Sequence, residues 1–319
     1  MIRWGLAGTG AISRQIVEDF ARVDEAAVVA VSSRNEGTAA AFGDEFGIAN
    51  RFNDYAAMLD SPIDAVYIGT PHVTHFAMAR DALIRGRHVL CEKPLGLNAT
   101  EVRQLTDIAR SSGVFLMEAM WMKFNPLMAA LAETISAGEI GSVRAVRASF
   151  GAPFPRDDSS RWKPGGSALL DQGIYPVTLS HMLLGVPERI HARGTVRPDG
   201  VDLNEHFTLE YADGRFTHGA SSMVEFLDTT AAVSGDRGWI GIDPGFWFAS
   251  AFTLHTYTAT GPKERTYQVT REGHGYVPML RSVTQAIALG STEHQLHTLE
   301  DTALIFDTMD LIRQQISAS

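Results

Sequence analysis

The feature that most constrains the fold lies at the start of the chain. An apolar run, Ile2–Ala7, leads directly into Gly8-Thr9-Gly10-Ala11-Ile12-Ser13, and Ile12, Ile16, Val17 and Phe20 then recur at helical spacing. A strand that turns on glycines into a helix opens a βα unit. Closely spaced glycines let the backbone approach a pyrophosphate, and the helix N-terminus adds amide donors and positive potential. Gly8, Thr9, Gly10, Ala11 and Ile12 are therefore the candidate phosphate cradle. Ser13 stands where a third glycine is usual, and the expectation is a slightly looser helix–strand contact with the phosphate turn intact.

The alternation continues to about residue 119. Short β-rich runs at residues 27–33, 65–69, His88–Cys91 and 114–117 are separated by stretches with helical apolar spacing, such as Phe76, Ala79, Leu83 and Ile84. That pattern predicts an α/β Rossmann domain over residues 1–120, with a doubly wound parallel sheet. After a helical stretch at 126–137 the pattern changes. Alternating runs at 143–150, 190–196, 207–211, 216–224, 229–234, 239–242, 252–258 and 265–270 predict a large, mostly antiparallel open sheet. Helices at 167–184, 277–289 and 299–316 complete an α+β domain over residues 121–319, whose last helix is free to pack back on the first domain. Alternation around Ala220, Ser222 and Val224 leaves neither face of that sheet strongly polar. The exposed face is expected to be covered by a second copy, giving a homodimer or higher homo-oligomer.

The end of the second strand bears on the cofactor. An Asp or Glu there binds the ribose 2′-hydroxyl of NAD, but the chain reads Ser32-Ser33-Arg34-Asn35. Ser33 and Arg34 can hold a 2′-phosphate through a hydroxyl and a charged fork, so NADP is expected, with NAD as the alternative.

With a net charge of −10 and no local concentration of Lys and Arg, nucleic acid is not an expected partner. The most apolar stretches are too short for a membrane span, and neither a signal-type leader nor a disulfide partner for the single Cys91 is apparent; a cytoplasmic location is expected. Asn98-Ala99-Thr100 has the form of a glycosylation sequon, but Asn98 followed by Glu101 also has capping-box spacing, and the cap is the preferred reading.

Three strings then carry a resemblance: Val89-Leu90-Cys91-Glu92-Lys93-Pro94-Leu95, Gly69-Thr70-Pro71-His72 with His75, and Gly165-Gly166-Ser167 running on to Asp171-Gln172-Gly173-Ile174-Tyr175-Pro176. With the run from Phe115 to Trp121, they resemble the glucose–fructose oxidoreductase, inositol dehydrogenase and rhizopine-catabolism family. Tyr at position 175 directs the comparison to the dimeric dihydrodiol dehydrogenases and NADP-dependent xylose dehydrogenases within it. The resemblance implies hydride transfer between nicotinamide and a hydroxyl-bearing carbon of a sugar or cyclic diol. It also implies that Thr70, Pro71, His75, Glu92, Lys93 and Trp162 border the cofactor, that Trp121 lines the substrate pocket, and that Pro94 follows a cis peptide.

Alcohol oxidation needs a base for the hydroxyl proton while hydride leaves carbon. A phenol titrates near pH 10, and an ammonium ~4 Å away at an effective dielectric of about 20 favours the phenolate by up to ~4 kcal/mol, or roughly three pKa units. Lys93 beside Tyr175 thus makes a base that works near neutrality. Asp171, four residues before Tyr175, shares its face on a regular helix; it opposes phenolate formation and is assigned to orient substrate hydroxyls or Lys93. His72 and His75 lack companions at ligand spacing, so no metal is expected. The alternatives are an anhydrosugar or dicarbonyl reductase using NADPH and, in another class, a non-catalytic dinucleotide sensor, which would have no need of Lys93, Asp171 and Tyr175 together.

Overall fold

The computed structural model describes residues 1–317. By contact the chain divides into two compact units: residues 1–124 with 271–303, and residues 125–270 with those from 304 onward.

In unit 1, β1 (Ile2–Ala7), α1 (Ala11–Phe20), β2 (Ala26–Ser32), α2 (Glu36–Phe46), β3 (Asn50–Phe52), α3 (Tyr55–Asp60), β4 (Ala65–Ile68), α4 (His72–Ile84), β5 (His88–Cys91), α5 (Ala99–Ser112) and β6 (Leu116–Glu118) alternate along the chain. The strands form one parallel sheet in the order β3-β2-β1-β4-β5-β6. This is the doubly wound sheet expected, with its order reversing between β1 and β4, where such sheets bind ligands at their carboxyl ends. The apolar runs are continuous because both faces are covered: Leu6, Val66, Tyr67, Val89 and Leu90 are fully buried. β3 is absent from the sequence reading because its three residues, Asn50-Arg51-Phe52, form an exposed edge with no apolar periodicity. Asn98 caps α5, accepting from the Glu101 N–H at 2.9 Å, while Glu101 accepts from the Leu97 N–H at 2.7 Å.

Unit 2 opens with α6 (Pro126–Ser136) and β7 (Val143–Gly151). A π-type turn, Leu169–Gly173, runs into α7 (Ile174–Leu184). Then come β8 (Arg189–Val196), β9 (Asp202–Glu210), β10 (Phe216–Ser222), β11 (Ala231–Gly235), β12 (Gly238–Ile242), β13 (Ala251–Thr258) and β14 (Gly261–Gln268). The eight strands form one open sheet, β14-β13-β12-β11-β7-β10-β9-β8, antiparallel except where β7 and β10 run parallel. β9 begins five residues before the run seen in the sequence, because its inward row includes the buried carboxylates Asp202 and Glu205, which break apolar alternation. β14 begins four residues before the expected run and ends two residues before that run does, since the turn between Thr258 and Gly261 sets its register against β13.

α8 (Val277–Ala288) belongs to unit 1, and the division falls within α9 (Leu299–Ser317). A boundary at 120/121 makes each domain continuous in sequence, whereas residues 271–303 return to unit 1. Buried Asp19 of α1 accepts from the N–H groups of His274 and Tyr276 at 2.8 and 2.9 Å, and Trp121 stacks on Tyr276 at 4.4 Å. No short-range pattern announces contacts made across that much chain.

Candidate active site

At the carboxyl ends of β1 and β4 two glycines meet. Gly8 has φ +101°, and a Cβ there would lie 2.7 Å from the Gly69 carbonyl oxygen. Gly10 begins α1 in an extended conformation, with no side chain capping the helix. A Cβ on Gly10 would meet no atom of the other described residues beyond its immediate chain neighbours within 4 Å. Nothing in the fold itself fills that space, and the first-turn amides keep their donor capacity for an incoming anion. The cradle therefore fits a dinucleotide pyrophosphate. Ser13 does not loosen the contact as expected: it is fully buried, and Gly69 opposite supplies the missing room, since a Cβ there would come within 3.0 Å of Ser13 Oγ. At the end of β2 the Ser33 N–H donates to Phe52 O at 3.0 Å, and Arg34 is exposed.

The same edge of the sheet gathers Thr70, Pro71, His75, Glu92 and Lys93. Pro71 precedes α4, and His75 Nε2 and Nδ1 each lie 2.7 Å from a carbonyl oxygen, those of Thr70 and Pro94. Burial lowers the His75 pKa, and the two carbonyls oppose that shift. The Lys93–Pro94 peptide is cis. The Lys93 N–H donates to Glu92 Oε2 at 3.2 Å, and the Leu95 N–H to Glu118 Oε1 at 2.9 Å. Glu118 in turn faces His297 Nε2 at 3.1 Å, both side chains being fully buried. The turn bearing Lys93 is thus held by buried groups on either side. Burial raises Glu92 to about 7, against the opposing influences of the Tyr67 hydroxyl and Lys93.

In unit 2, Tyr175 is the second residue of α7 and is 3% exposed. Its ring lies 5.9 Å from Phe150 and 5.7 Å from Trp247, which stack on each other at 3.6 Å. Asp171 sits in the π-type turn and pairs with Arg161, Nε to Oδ2 at 2.7 Å, while the Arg161 guanidinium covers the Phe154 ring at 4.3 Å. The wider turn breaks the regular 3.6-residue register that placed Asp171 and Tyr175 on one face. Trp162 is half-buried; its indole N–H donates to Pro155 O at 2.7 Å, and the ring packs against Ala168, Val201 and Met223. Trp121 belongs to unit 1, buried against Tyr276. Sequence reasoning missed Arg161, Phe150 and Trp247, for a lone Arg in a loop or a single aromatic in a strand or turn carries no signal of its own. His181, further along α7, has its Nε2 2.9 Å from Thr308 Oγ1.

Unit 1, with its glycine cradle at the switch point of a parallel sheet, defines a Rossmann-type dinucleotide-binding protein. Residues 2–120 match the model of an oxidoreductase family with an NAD-binding Rossmann fold, and residues 128–241 match the GFO/IDH/MocA C-terminal domain. The chain belongs to the GFO/IDH/MocA oxidoreductase family. Among curated proteins it is 32% identical to the trans-1,2-dihydrobenzene-1,2-diol dehydrogenase of Sus scrofa, over 100% of this chain and 98% of that one. It is 38% identical to the Mus musculus protein of the same name over 74% of this chain and 73% of that one. Among solved structures, KijD10, a 3-ketoreductase from Actinomadura kijaniata in complex with NADP and TDP-benzene, matches with a TM-score of 0.89 and 25% identity, covering 99% of this chain and 98% of that one. The protein is accordingly a nicotinamide-dinucleotide-dependent oxidoreductase.

Proposed function

We propose that the protein interconverts a hydroxyl and a carbonyl on a sugar or cyclic diol using NADP, with Tyr175 as acid/base, Lys93 as the cation favouring its phenolate, and Asp171 orienting the substrate. The observation that carries the cofactor reading is the open Gly10 position before the uncapped α1. Gly8 to Ile12 would hold the pyrophosphate, Ser33 and Arg34 the 2′-phosphate, and Thr70, Pro71, His75, Glu92 and Trp162 would border the remainder. Bound NADP supplies the hydride acceptor. The chain's own work is with protons: Tyr175 Oη takes the hydroxyl proton as the C–H bond gives its electron pair to the acceptor, and returns it in reduction. The Phe150–Trp247 stack beside the Tyr175 ring offers an aromatic wall suited to a sugar or diol ring. The names of the dihydrodiol dehydrogenases and the 3-ketoreductase support this substrate class. The test is a panel of cyclic diols and sugars with NADP at alkaline pH, and of dicarbonyls and ketosugars with NADPH at neutral pH, read by nicotinamide absorbance. Turnover of some member supports the reading, and inertness toward all of them contradicts it.

The second proposal is a homodimer through the outer face of the unit 2 sheet. One complete cross-strand row on that face reads Glu264, His255, Trp239, Ser234, Ala145, Phe216, Glu210, Arg189. Exposed Trp239 and Phe216 flank its centre, while a polar contact of His255 with Glu264 and an ion pair of Arg189 with Glu210 close its ends. An apolar middle with a charged rim suits a second copy. A reducing, cytoplasmic setting accords with the single buried thiol of Cys91.

A further inference from the structure

Directly behind the π-type turn lies a carboxyl that the proposed chemistry does not use. Glu205 is fully buried on the inner face of β9, and among the described residues neither of its oxygens has a hydrogen-bond partner. Its cross-strand neighbour is Ser221 of β10, also fully buried with an unpartnered hydroxyl. Above them sits Gly173, the last residue of the π-type turn. A Cβ there would come within 2.6 Å of Ser221 Oγ and 2.8 Å of Glu205 Oε1. Gln172, beside it in the turn, is likewise fully buried, with both side-chain polar atoms unpartnered. The turn therefore rests its backbone on two polar groups of the sheet, at the one residue that has no side chain to hold them off.

An unpaired buried polar group is destabilising, and a leucine or methionine at position 205 would fill this row without that cost. Departures from economical packing of this kind concentrate at functional sites, and this one touches the segment that carries Asp171 at one end and leads into Tyr175 at the other. π-type turns are themselves uncommon, since their wider ring forgoes regular helical packing. Something must hold this one in place against relaxation to a regular helix.

We propose that Glu205, seated with Ser221 against Gly173, is a positioning residue: it holds the π-type turn from the sheet side and so fixes where Asp171 and Tyr175 stand for the reaction. The inference rests on the roles assigned above to those two residues. The groups that act on Glu205 fit a neutral acid. Burial and Asp202 raise its pKa well above the carboxylate range, and Arg313 of α9 opposes them. A neutral carboxyl has one donor and one acceptor to offer, and internal water linking it to Ser221 would satisfy both.

The test compares Glu205→Met, which removes the polar groups at similar volume, with Glu205→Gln, which keeps a neutral donor and acceptor. Two readouts are taken: backbone amide exchange over residues 168–176, and steady-state kinetics with NADPH and the best carbonyl substrate of the panel. Glu205→Met is expected to speed exchange in that segment at least tenfold and to lower kcat at least tenfold, with NADPH affinity within threefold of the wild type. Glu205→Gln is expected to restore both. Should Glu205→Met fail to fold, Gly173→Ala takes its place and is expected to give the same two effects by pushing the turn off the sheet. Unchanged exchange and unchanged kcat would overturn the anchor, as would a Glu205→Gln variant as impaired as Glu205→Met. Faster exchange in Glu205→Met, with a wild type that turns over no substrate, would leave the anchor standing and remove the catalytic reading alone.

Discussion

The Tyr67 hydroxyl donates to Glu92 Oε1 at 2.6 Å, so the buried carboxyl immediately before Lys93 is held from the neighbouring strand. Burial raises Glu92 to about 7, whereas an unfolded glutamate titrates near 4.3. Between those values the folded protein keeps a proton that the unfolded chain has lost. Stability from this group is therefore full below about pH 4.3 and falls as pH rises to about 7, by on the order of 4 kcal/mol. Denaturant titrations across that range should show the wild type losing stability relative to Glu92→Gln, which has nothing to titrate there. The comparison isolates Glu92, because His75, lowered by burial, contributes with the opposite sign. A constant difference between the two proteins would count against the assignment.

Glu118 receives the Leu95 N–H and faces His297, both side chains without exposure to solvent. Glu118→Ala removes one partner of a buried pair and should cost about 3–5 kcal/mol. Glu118→Gln, which keeps an acceptor for the Leu95 amide, should cost less. Thermal unfolding ranks the two, and equal losses would mean that the amide contact contributes little.

Much of unit 1 was legible because each step has a local signature. The glycine turn after β1, the continuous apolar runs of β4 and β5, and the Asn98–Glu101 cap depend on residues close in sequence. What could not be read depends on distant partners. The return of residues 271–303 rests on Asp19 meeting the amides of His274 and Tyr276, and the Arg161–Asp171 pair joins a loop to a turn. The start of β9 was hidden because Glu205 faces inward, against the pattern by which strands are recognised. The π-type turn escaped for a related reason: its residues have ordinary helical spacing, and what widens it lies in packing against the sheet.

Arg34, exposed at the end of β2 with no carboxylate at Ser32 or Ser33, predicts tighter binding of NADP than of NAD. A charged contact to the extra phosphate worth ~1.5–3 kcal/mol corresponds to roughly ten- to a hundredfold. Calorimetric dissociation constants should differ by at least about tenfold, and Arg34→Ala should abolish the difference. Equal constants in the wild type would refute the preference.

The dimer through the unit 2 sheet predicts twice the chain mass by light scattering at micromolar concentration. Replacing Trp239, near the middle of the exposed row, with glutamate should give a folded monomer, because an isologous contact places the introduced charge in the interface twice. A monomeric wild type would exclude this surface.

The central claim is that Tyr175 moves the proton, and Tyr175→Phe tests it most directly. General acid–base catalysis contributes about 10²–10⁴-fold, so turnover should fall at least a hundredfold on the best substrate, with NADPH affinity within a few fold of the wild type. Turnover by Tyr175→Phe near that of the wild type would contradict the account and move the search for the base to Asp171.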